Sequence, residues 1–262
     1  MIAQKYDKFP LNKADNDNVA SPAVKTNKRM PRVYIIGNDK GVRSMFYKNG
    51  YECTSRDTTE YHMAVFTGGS DVTPFLYGQK MLSQRVYCDP ERDMDEVRLF
   101  HTIGGDVPDF PKIGICRGAQ FLNVMSGGTL WQDVNNHFSI KGILVHDMFE
   151  ISKDAKKPRI IPVTSTHHQM MVPGSSAQVV CKAFLSTIKE DDERKLTIEK
   201  PMSTEGDAEV IYYWNTGSLC FQGHPEYETS PECTKYFFEL LEHFYESTYK
   251  TVRGENKVKS VG

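Results

Sequence analysis

Residues 112–128 read KIGICRGAQFLNVMSGG, and this stretch decides the fold class. A short apolar run leads into Gly114-Ile115-Cys116-Arg117-Gly118, and a helix-like segment follows until two glycines end it. This is the pattern of a nucleophile elbow, a sharp turn from a strand into a helix, with cysteine as the nucleophile. Glycines suit the two flanking positions because side chains there would clash. The pattern predicts an α/β fold with an exposed, reactive cysteine.

Other short apolar runs surround this elbow. The sequences VYIIGN (33–38) and HMAVFTGG (62–69) precede it, and each ends in glycine or asparagine. Such runs are typical of parallel strands that are buried on both faces and carry functional loops at their carboxyl ends. Helices are predicted around 42–47 and over 89–102, where apolar residues recur with helical spacing.

The sequence beyond residue 142 is richer in strands. These strands are interpreted as β-hairpins added near the active site, and the apolar residues of 233–249 recur at helical spacing, which predicts a final helix that packs on the sheet. The predicted strands are ILVHDMFEIS (143–152), RIIPVTS (159–165), AQVVCKAF (177–184), EVIYYW (209–214) and SLCFQGHP (218–225).

Length and composition limit the other possibilities. A chain of 262 residues fits one α/β domain, predicted at 31–250, between a disordered polar tail (1–30) and a flexible tail (251–262). The highly charged segment 189–200 is predicted to be a solvated loop. A net charge of −2 gives no overall attraction to nucleic acid or to an anionic membrane.

Location and cofactors follow from what the sequence lacks. It has neither an apolar run of about 18 residues nor a hydrophobic signal core, so a cytoplasmic protein is expected. Its six cysteines show no CxxC pair and its histidines no HExxH spacing. Free thiols, with no metal and no cofactor, are therefore expected.

The elbow also predicts how Cys116 is activated. A cysteine at a helix N-terminus lies close to unpaired backbone NH groups and to the positive end of the helix dipole, which stabilise a thiolate. The NH of Arg117 is directed at the same point, and it is predicted to be one donor to the oxyanion of a tetrahedral intermediate.

A base for Cys116 is predicted at His224. It follows the apolar run SLCF in Gln222-Gly223-His224-Pro225-Glu226. Residues two apart on an extended backbone point the same way, so Glu226 can hold the second ring nitrogen. Together the three residues satisfy the logic of a nucleophile, a base and an orienting carboxylate.

A second pair of histidines follows the strand RIIPV. Because adjacent side chains of an extended backbone point in opposite directions, at most one of His167 and His168 is expected to face the site. A substrate-contact role is favoured for this loop, with a structural role as the alternative.

At this point the sequence resembles the class I glutamine amidotransferases, and among them most the γ-glutamyl-γ-aminobutyrate hydrolase type. The resemblance extends from about Val33 to the final helix. It is carried by the motifs FTGGSDVTP (66–74) with LYG behind it, CDPERD (88–93), GICRGAQFLNVMSGGTLWQD (114–133), STHHQ (165–169) and FQGHPE (221–226).

The resemblance implies a flavodoxin-like open, mostly parallel sheet flanked by helices. It also implies a γ-glutamyl thioester on Cys116 that water releases, with His224 and Glu226 as the base and its partner. The second oxyanion donor would be the backbone of Gly68 or Gly69. The residues implied to contact the glutamyl part of the substrate are Gln120, His167, His168 and Gln169.

Two other functions stay open. Gly223 stands where the hydrolases have a large aromatic residue, and QGHPE resembles the glutaminase subunit of carbamoyl phosphate synthetase. The chain could therefore be a glutaminase subunit that delivers ammonia to a separate synthetase partner. The third possibility is a catalytically silent binding or regulatory module.

Overall fold

The computed structural model describes residues 31–37, 39–54, 61–81, 86–104, 109–134, 144–151, 158–164, 166–183, 207–227 and 229–252. The predicted polar tail (1–30) and the charged segment (189–200) lie outside these ranges. The final helix continues to Val252, into the tail predicted from residue 251, and the rest of that tail is also outside the described residues. Within the described ranges no helix is both long enough and apolar enough to span a bilayer.

Eleven strands lie in this part of the chain. They are β1 (Arg32–Ile36), β2 (Glu52–Thr54), β3 (Met63–Phe66), β4 (Lys112–Ile115), β5 (Thr129–Trp131), β6 (Leu144–Glu150), β7 (Ile160–Thr164), β8 (Met170–Val172), β9 (Gln178–Ala183), β10 (Ala208–Tyr213) and β11 (Ser218–Phe221). Nine form one open sheet in the order β2-β1-β3-β4-β11-β10-β9-β6-β7, and β5 pairs with β8 in a small separate ribbon.

The sheet has a parallel and an antiparallel part. The strands β2, β1, β3, β4 and β11 run parallel to one another. From β10 onward each strand is antiparallel to its neighbour. The predicted hairpins are present as β6–β7 and β10–β11, and they extend the main sheet.

The helices also agree with the sequence-based prediction. They are α1 (Lys40–Lys48), α2 (Pro90–Thr102), α3 (Arg117–Met125) and α4 (Pro231–Val252), with a 3-10 helix at Pro74–Tyr77. Helices α1 and α2 each begin with a side-chain cap. Asp39 accepts from the NH of Val42 at 2.9 Å, and Asp89 accepts from the NH of Arg92 at 3.1 Å. Such caps satisfy NH groups that have no acceptor within the helix.

The core lies on both faces of the sheet, so the architecture is the predicted α/β fold, an open sheet flanked by helices. Along β3, Met63 and Val65 belong to one apolar cluster, while Ala64 and Phe66 belong to the other. Helices α1 and α4 contribute to the first cluster, and α2 and α3 to the second. This alternation explains why every residue of β3 is apolar and buried.

The parallel order determines where the site lies. Because β3, β4 and β11 are neighbours that run the same way, the segments after them meet at one edge of the sheet. These segments are the loop 67–70, the elbow at Cys116, and residues 222–226. The elements predicted separately from sequence are thereby brought together.

Candidate active site

Cys116 lies at a strained elbow between β4 and α3. Its backbone has φ 54° and ψ −112°, and it is the one non-glycine residue with a positive φ in the described ranges. A Cβ at Gly114 would collide with the backbone of Gly118, and a Cβ at Gly118 would collide with the carbonyl of Phe66. Both flanking glycines are thus required by close backbone contacts, as the elbow pattern predicts. The prediction of an exposed cysteine was wrong, because Cys116 is buried beside the loop after β3.

His224 lies beside the sulfur and is held on both ring nitrogens. Its Nδ1 is 2.5 Å from Oε1 of Glu226 and its Nε2 is 2.8 Å from Oγ1 of Thr166. Cys116 is the neighbour whose charge acts most strongly on the ring. The backbone NH of His224 donates to the carbonyl of Thr164 at 2.9 Å, which ties this segment to the end of β7. The structure therefore brings Cys116, His224 and Glu226 together.

The charge on His224 follows from these neighbours. Burial disfavours the imidazolium, but the charges and hydrogen bonds of Cys116 and then Glu226 outweigh burial, so the pKa of His224 is raised well above its ordinary value. The ring is thus stabilised in its protonated form next to the sulfur.

Two neighbours of His224 were not assigned from sequence. Thr166 contributes the hydroxyl on Nε2, and the ring of Tyr227 stacks on the imidazole with centroids 4.6 Å apart and planes at 4°. The ring of Tyr227 and the carboxylate of Glu226 together restrict rotation of the imidazole. Tyr227 directly follows His-Pro-Glu in the sequence. This adjacency is the feature of the sequence that places Tyr227 close to His224.

The predicted oxyanion donors lie on both sides of Cys116. Arg117 begins α3, so its NH has no acceptor within the helix. On the other side, a Cβ at Gly68 would be 3.8 Å from the Cβ of Cys116 and 3.5 Å from Cε1 of His224. The loop after β3 thus passes next to the side chains of Cys116 and His224. Gly69 has φ +142°, a conformation that favours glycine.

A pocket of about 640 Å³ opens over these groups. Gln120, His167 and His168 line it, as does Tyr87, whose side chain is largely exposed. The expectation that at most one of the two histidines faces the site was wrong, since both line the pocket. The chain bends at His168, so the alternation of an extended strand does not apply there.

Gln169 is placed differently from the expectation. It is buried, its Oε1 accepts from the NH of Val72 at 3.2 Å, and it is not among the residues that line the pocket. Its carbonyl accepts from Nε2 of Gln120 at 2.8 Å and contacts Nδ1 of His167 at 2.8 Å. Gln169 therefore supports the two lining residues instead of lining the pocket itself.

His168 carries a positive charge at neutral pH. Its Nε2 is 3.0 Å from Asp71 and its Nδ1 is 3.5 Å from Asp133. Hydrogen bonds with Asp133 and Asp71 raise the pKa of His168 to about 9. An imidazolium held between two carboxylates thus forms part of the pocket wall. Among the described residues no cluster of His, Cys, Asp and Glu has the arrangement of a metal site.

Residues 58–226 match the family described as peptidase C26, which covers more than half of the chain. The chain belongs to the peptidase C26 family. This agrees with the resemblance to class I glutamine amidotransferases, and the match contains Cys116, His224 and Glu226.

Curated relatives of this peptidase C26 chain carry glutamine amidotransferase names. Rv2859c of Mycobacterium tuberculosis, which is named as a glutamine amidotransferase, is 44% identical to this chain over 166 residues. The match covers 63% of this chain and 50% of the relative. The YvdE homologue of Lactococcus lactis subsp. cremoris, named as glutamine amidotransferase-like, is 44% identical over 71 residues, 27% of this chain and 37% of the relative. The chain spans half or less of the length of these relatives.

A solved structure agrees at the level of the fold. The Thermoplasma acidophilum protein described as one of the subunits of GMP synthase superposes with a TM-score of 0.56 at 13% identity, over 88% of this chain and 100% of that one. This likeness confirms the amidotransferase-like, flavodoxin-like architecture predicted for this peptidase C26 member.

Proposed function

We propose that this protein hydrolyses the γ-amide bond of glutamine or of a γ-glutamyl conjugate through a thioester on Cys116. The observation that carries the proposal is the juxtaposition of three side chains beneath one pocket: Cys116, His224 and Glu226 all line it, and His224 lies 2.5 Å from Glu226. Membership of the peptidase C26 family and relatives with amidotransferase names support the same chemistry.

The first half-reaction forms the thioester. The thiolate of Cys116, whose proton is already on His224, attacks the γ-carbonyl carbon, while the oxyanion accepts from the NH of Arg117 and of Gly68 or Gly69. When the tetrahedral intermediate collapses, the C–N bond breaks and His224 gives the proton to the departing amine. The amine or ammonia leaves, and the γ-glutamyl group stays on sulfur.

The second half-reaction restores the enzyme. His224 removes a proton from water, the hydroxide oxygen bonds to the thioester carbon, and the C–S bond then breaks, so that the sulfur leaves as a thiolate beside the protonated His224. Glutamate is released. Glu226 keeps Nδ1 oriented and stabilises the imidazolium in both halves.

The substrate is proposed to be held by its glutamyl end. Gln120 lines the pocket one helical turn beyond Cys116, and its Nε2 is already engaged by Gln169. His167 and His168 line the same pocket. By resemblance, the substrate class is that of the γ-glutamyl-γ-aminobutyrate hydrolase type, a γ-glutamyl group on a primary amine.

The direct test is an assay of purified protein on glutamine and a panel of γ-glutamyl amides, measuring release of ammonia or amine. Wild type and Cys53→Ala should turn over at least one of them, and Cys116→Ala none. Cys53 is a fair control because it is a half-buried thiol at the edge strand β2. If no substrate is cleaved, or if Cys116→Ala retains activity, the proposal is wrong.

A second candidate is a glutaminase subunit that passes ammonia to a synthetase, and the sequence QGHPE favours it. A Cβ at Gly223 would collide with the side chain of Val163, so the local packing does not accommodate the aromatic residue of the hydrolases. Glutaminase activity that appears only on addition of a synthetase would favour this alternative. Failure of a diazoketone analogue of glutamine to label Cys116 would favour a silent module.

A further inference from the structure

The loop after β3 is held from behind by one arginine of α2. Nη2 of Arg92 donates to the carbonyl of Thr67 at 3.0 Å, and Nη1 donates to the carbonyl of Gly68 at 3.0 Å. Arg92 does not line the pocket over Cys116. Gly68 and Gly69 do line the pocket, so Arg92 contacts the loop on the side that faces away from it.

These two hydrogen bonds fix the direction of two NH groups. In a planar trans peptide the C=O and the N–H point in opposite directions. With the carbonyl of Thr67 turned toward Arg92, the NH of Gly68 points away from the guanidinium, and the carbonyl of Gly68 orients the NH of Gly69 in the same way. Either proposed oxyanion donor of this loop is thus oriented by Arg92.

The close fit of loop and guanidinium explains the second glycine. A Cβ at Gly69 would collide with Nη1 of Arg92, and the φ of +142° at Gly69 also favours glycine. Gly69 therefore packs against Arg92 on one side of the loop, and Gly68 lies next to Cys116 and His224 on the other side.

Arg92 is itself anchored to the other half of the site. Its Nε donates to Oε1 of Glu96 at 2.8 Å, and the second oxygen of Glu96 pairs with Arg117. Arg117 also pairs with Asp93, which accepts from the NH of Thr73 at 2.9 Å. The network thus contains two arginines and two carboxylates, and each buried charge is paired with a charge of the opposite sign.

From these contacts we infer that Arg92 is a positioning residue for the oxyanion site, and that Glu96 couples it to Arg117. Arg92 orients the NH groups of Gly68 and Gly69. The side chain of Arg117 anchors Arg117 itself, whose backbone NH is the other oxyanion donor. The inference rests on the proposed function. It assigns a role to the CDPERD motif (88–93), to which the sequence alone gave none.

Arg92→Lys tests this inference, with Arg98→Lys as the matched control. Both variants keep the charge on α2, and Arg98 is an exposed residue that pairs only with Asp95 among the described contacts. The lysine ammonium is a point charge and not a planar fork, so it cannot reproduce the two hydrogen bonds of Arg92 to the carbonyls of Thr67 and Gly68. Thermal denaturation of both variants checks that they fold.

The kinetic result expected for Arg92→Lys is a fall in kcat of roughly 10- to 100-fold, since loss of one whole oxyanion donor costs about 10²–10³. KM should change by less than about threefold. Alkylation of Cys116 by iodoacetamide, which forms no oxyanion, should proceed at the wild-type rate. An unchanged kcat, or an alkylation rate that falls in parallel with kcat, would overturn the inference, and Arg98→Lys should match wild type in every assay.

A structural readout separates this inference from the proposed function. In a crystal structure of Arg92→Lys, the Thr67–Gly68 or Gly68–Gly69 peptide should be rotated relative to wild type. A loop unchanged in conformation would contradict the role of Arg92, even if the wild-type protein were found to hydrolyse none of the amides. Should Arg92→Lys fail to fold, the structure of Arg92→Gln is compared in the same way.

Discussion

The carboxylate of Glu226 lies 2.5 Å from Nδ1 of His224, and both side chains are buried at the edge of the sheet. Only Pro225 separates the two residues in sequence, so the contact is local and depends little on the rest of the fold. With Tyr227 stacked on the same ring, one short segment supplies a base that is already oriented. The orientation of His224 should accordingly be sensitive to changes at Glu226.

Replacing Glu226 with Gln is expected to lower kcat by about 100-fold, because an oriented base contributes about 10²–10⁴. The amide keeps the size of the carboxylate but not its charge, so the pKa of His224 should also fall. Steady-state kinetics and NMR titration of the imidazole measure the two effects. Glu232→Gln, at an exposed position of α4, is the control. A wild-type kcat in Glu226→Gln would contradict the role assigned to this carboxylate.

The charge on His168 predicts a pH-dependent contribution to stability. Hydrogen bonds with Asp133 and Asp71 raise its pKa to about 9 in the folded protein, against about 6.5 when unfolded. The stabilisation is thus fully present below about pH 6.5 and is lost as the pH rises to about 9.

His168→Gln should therefore be less stable than wild type at about pH 6, by roughly 1–3 kcal/mol, and the difference should shrink above about pH 9. Urea unfolding of both proteins across this range measures it. The other histidines are common to both proteins, so their titration largely cancels in the comparison. A difference independent of pH would show that His168 is not charged between Asp71 and Asp133.

Two glycines of the site should respond differently to alanine. At Gly118 a Cβ would collide with the backbone of Phe66, which cannot move aside, so Gly118→Ala should lose about 1–3 kcal/mol or fail to fold. At Gly68 the added Cβ meets His224 and Cys116 at ordinary contact distances of 3.5 and 3.8 Å. Gly68→Ala should fold normally but lose activity, because its methyl group projects into the site.

Denaturant midpoints and kcat distinguish the two variants. Equal stability losses in Gly118→Ala and Gly68→Ala would contradict the geometry of the elbow. Full activity in Gly68→Ala would contradict the placement of the loop beside Cys116 and His224.

The parts of the site that could be predicted from sequence are local ones. The elbow depends on residues within one short motif, and His224 and Glu226 are two positions apart. The order of parallel strands then places these segments at one edge. The small ribbon β5–β8 was not predicted, because strands of three residues carry too little periodicity to be distinguished from loops.

The rest of the site depends on contacts between distant residues. Thr166 bonds His224 across 58 positions, and Arg92 bonds Gly68 across 24. Nothing in the immediate sequence of either residue predicts its partner. The expectation for His167 and His168 was wrong for a related reason, since it assumed an extended backbone where the chain bends.

The most direct test of the central claim is covalent labelling with a diazoketone analogue of glutamine, mapped by mass spectrometry. The chain has six cysteines, so the position of the adduct is informative. We expect one adduct, on Cys116, that free glutamine prevents and that forms much more slowly in His224→Ala. An adduct on another cysteine at a comparable rate, or an unlabelled wild-type protein, would contradict the assignment of Cys116 as the nucleophile.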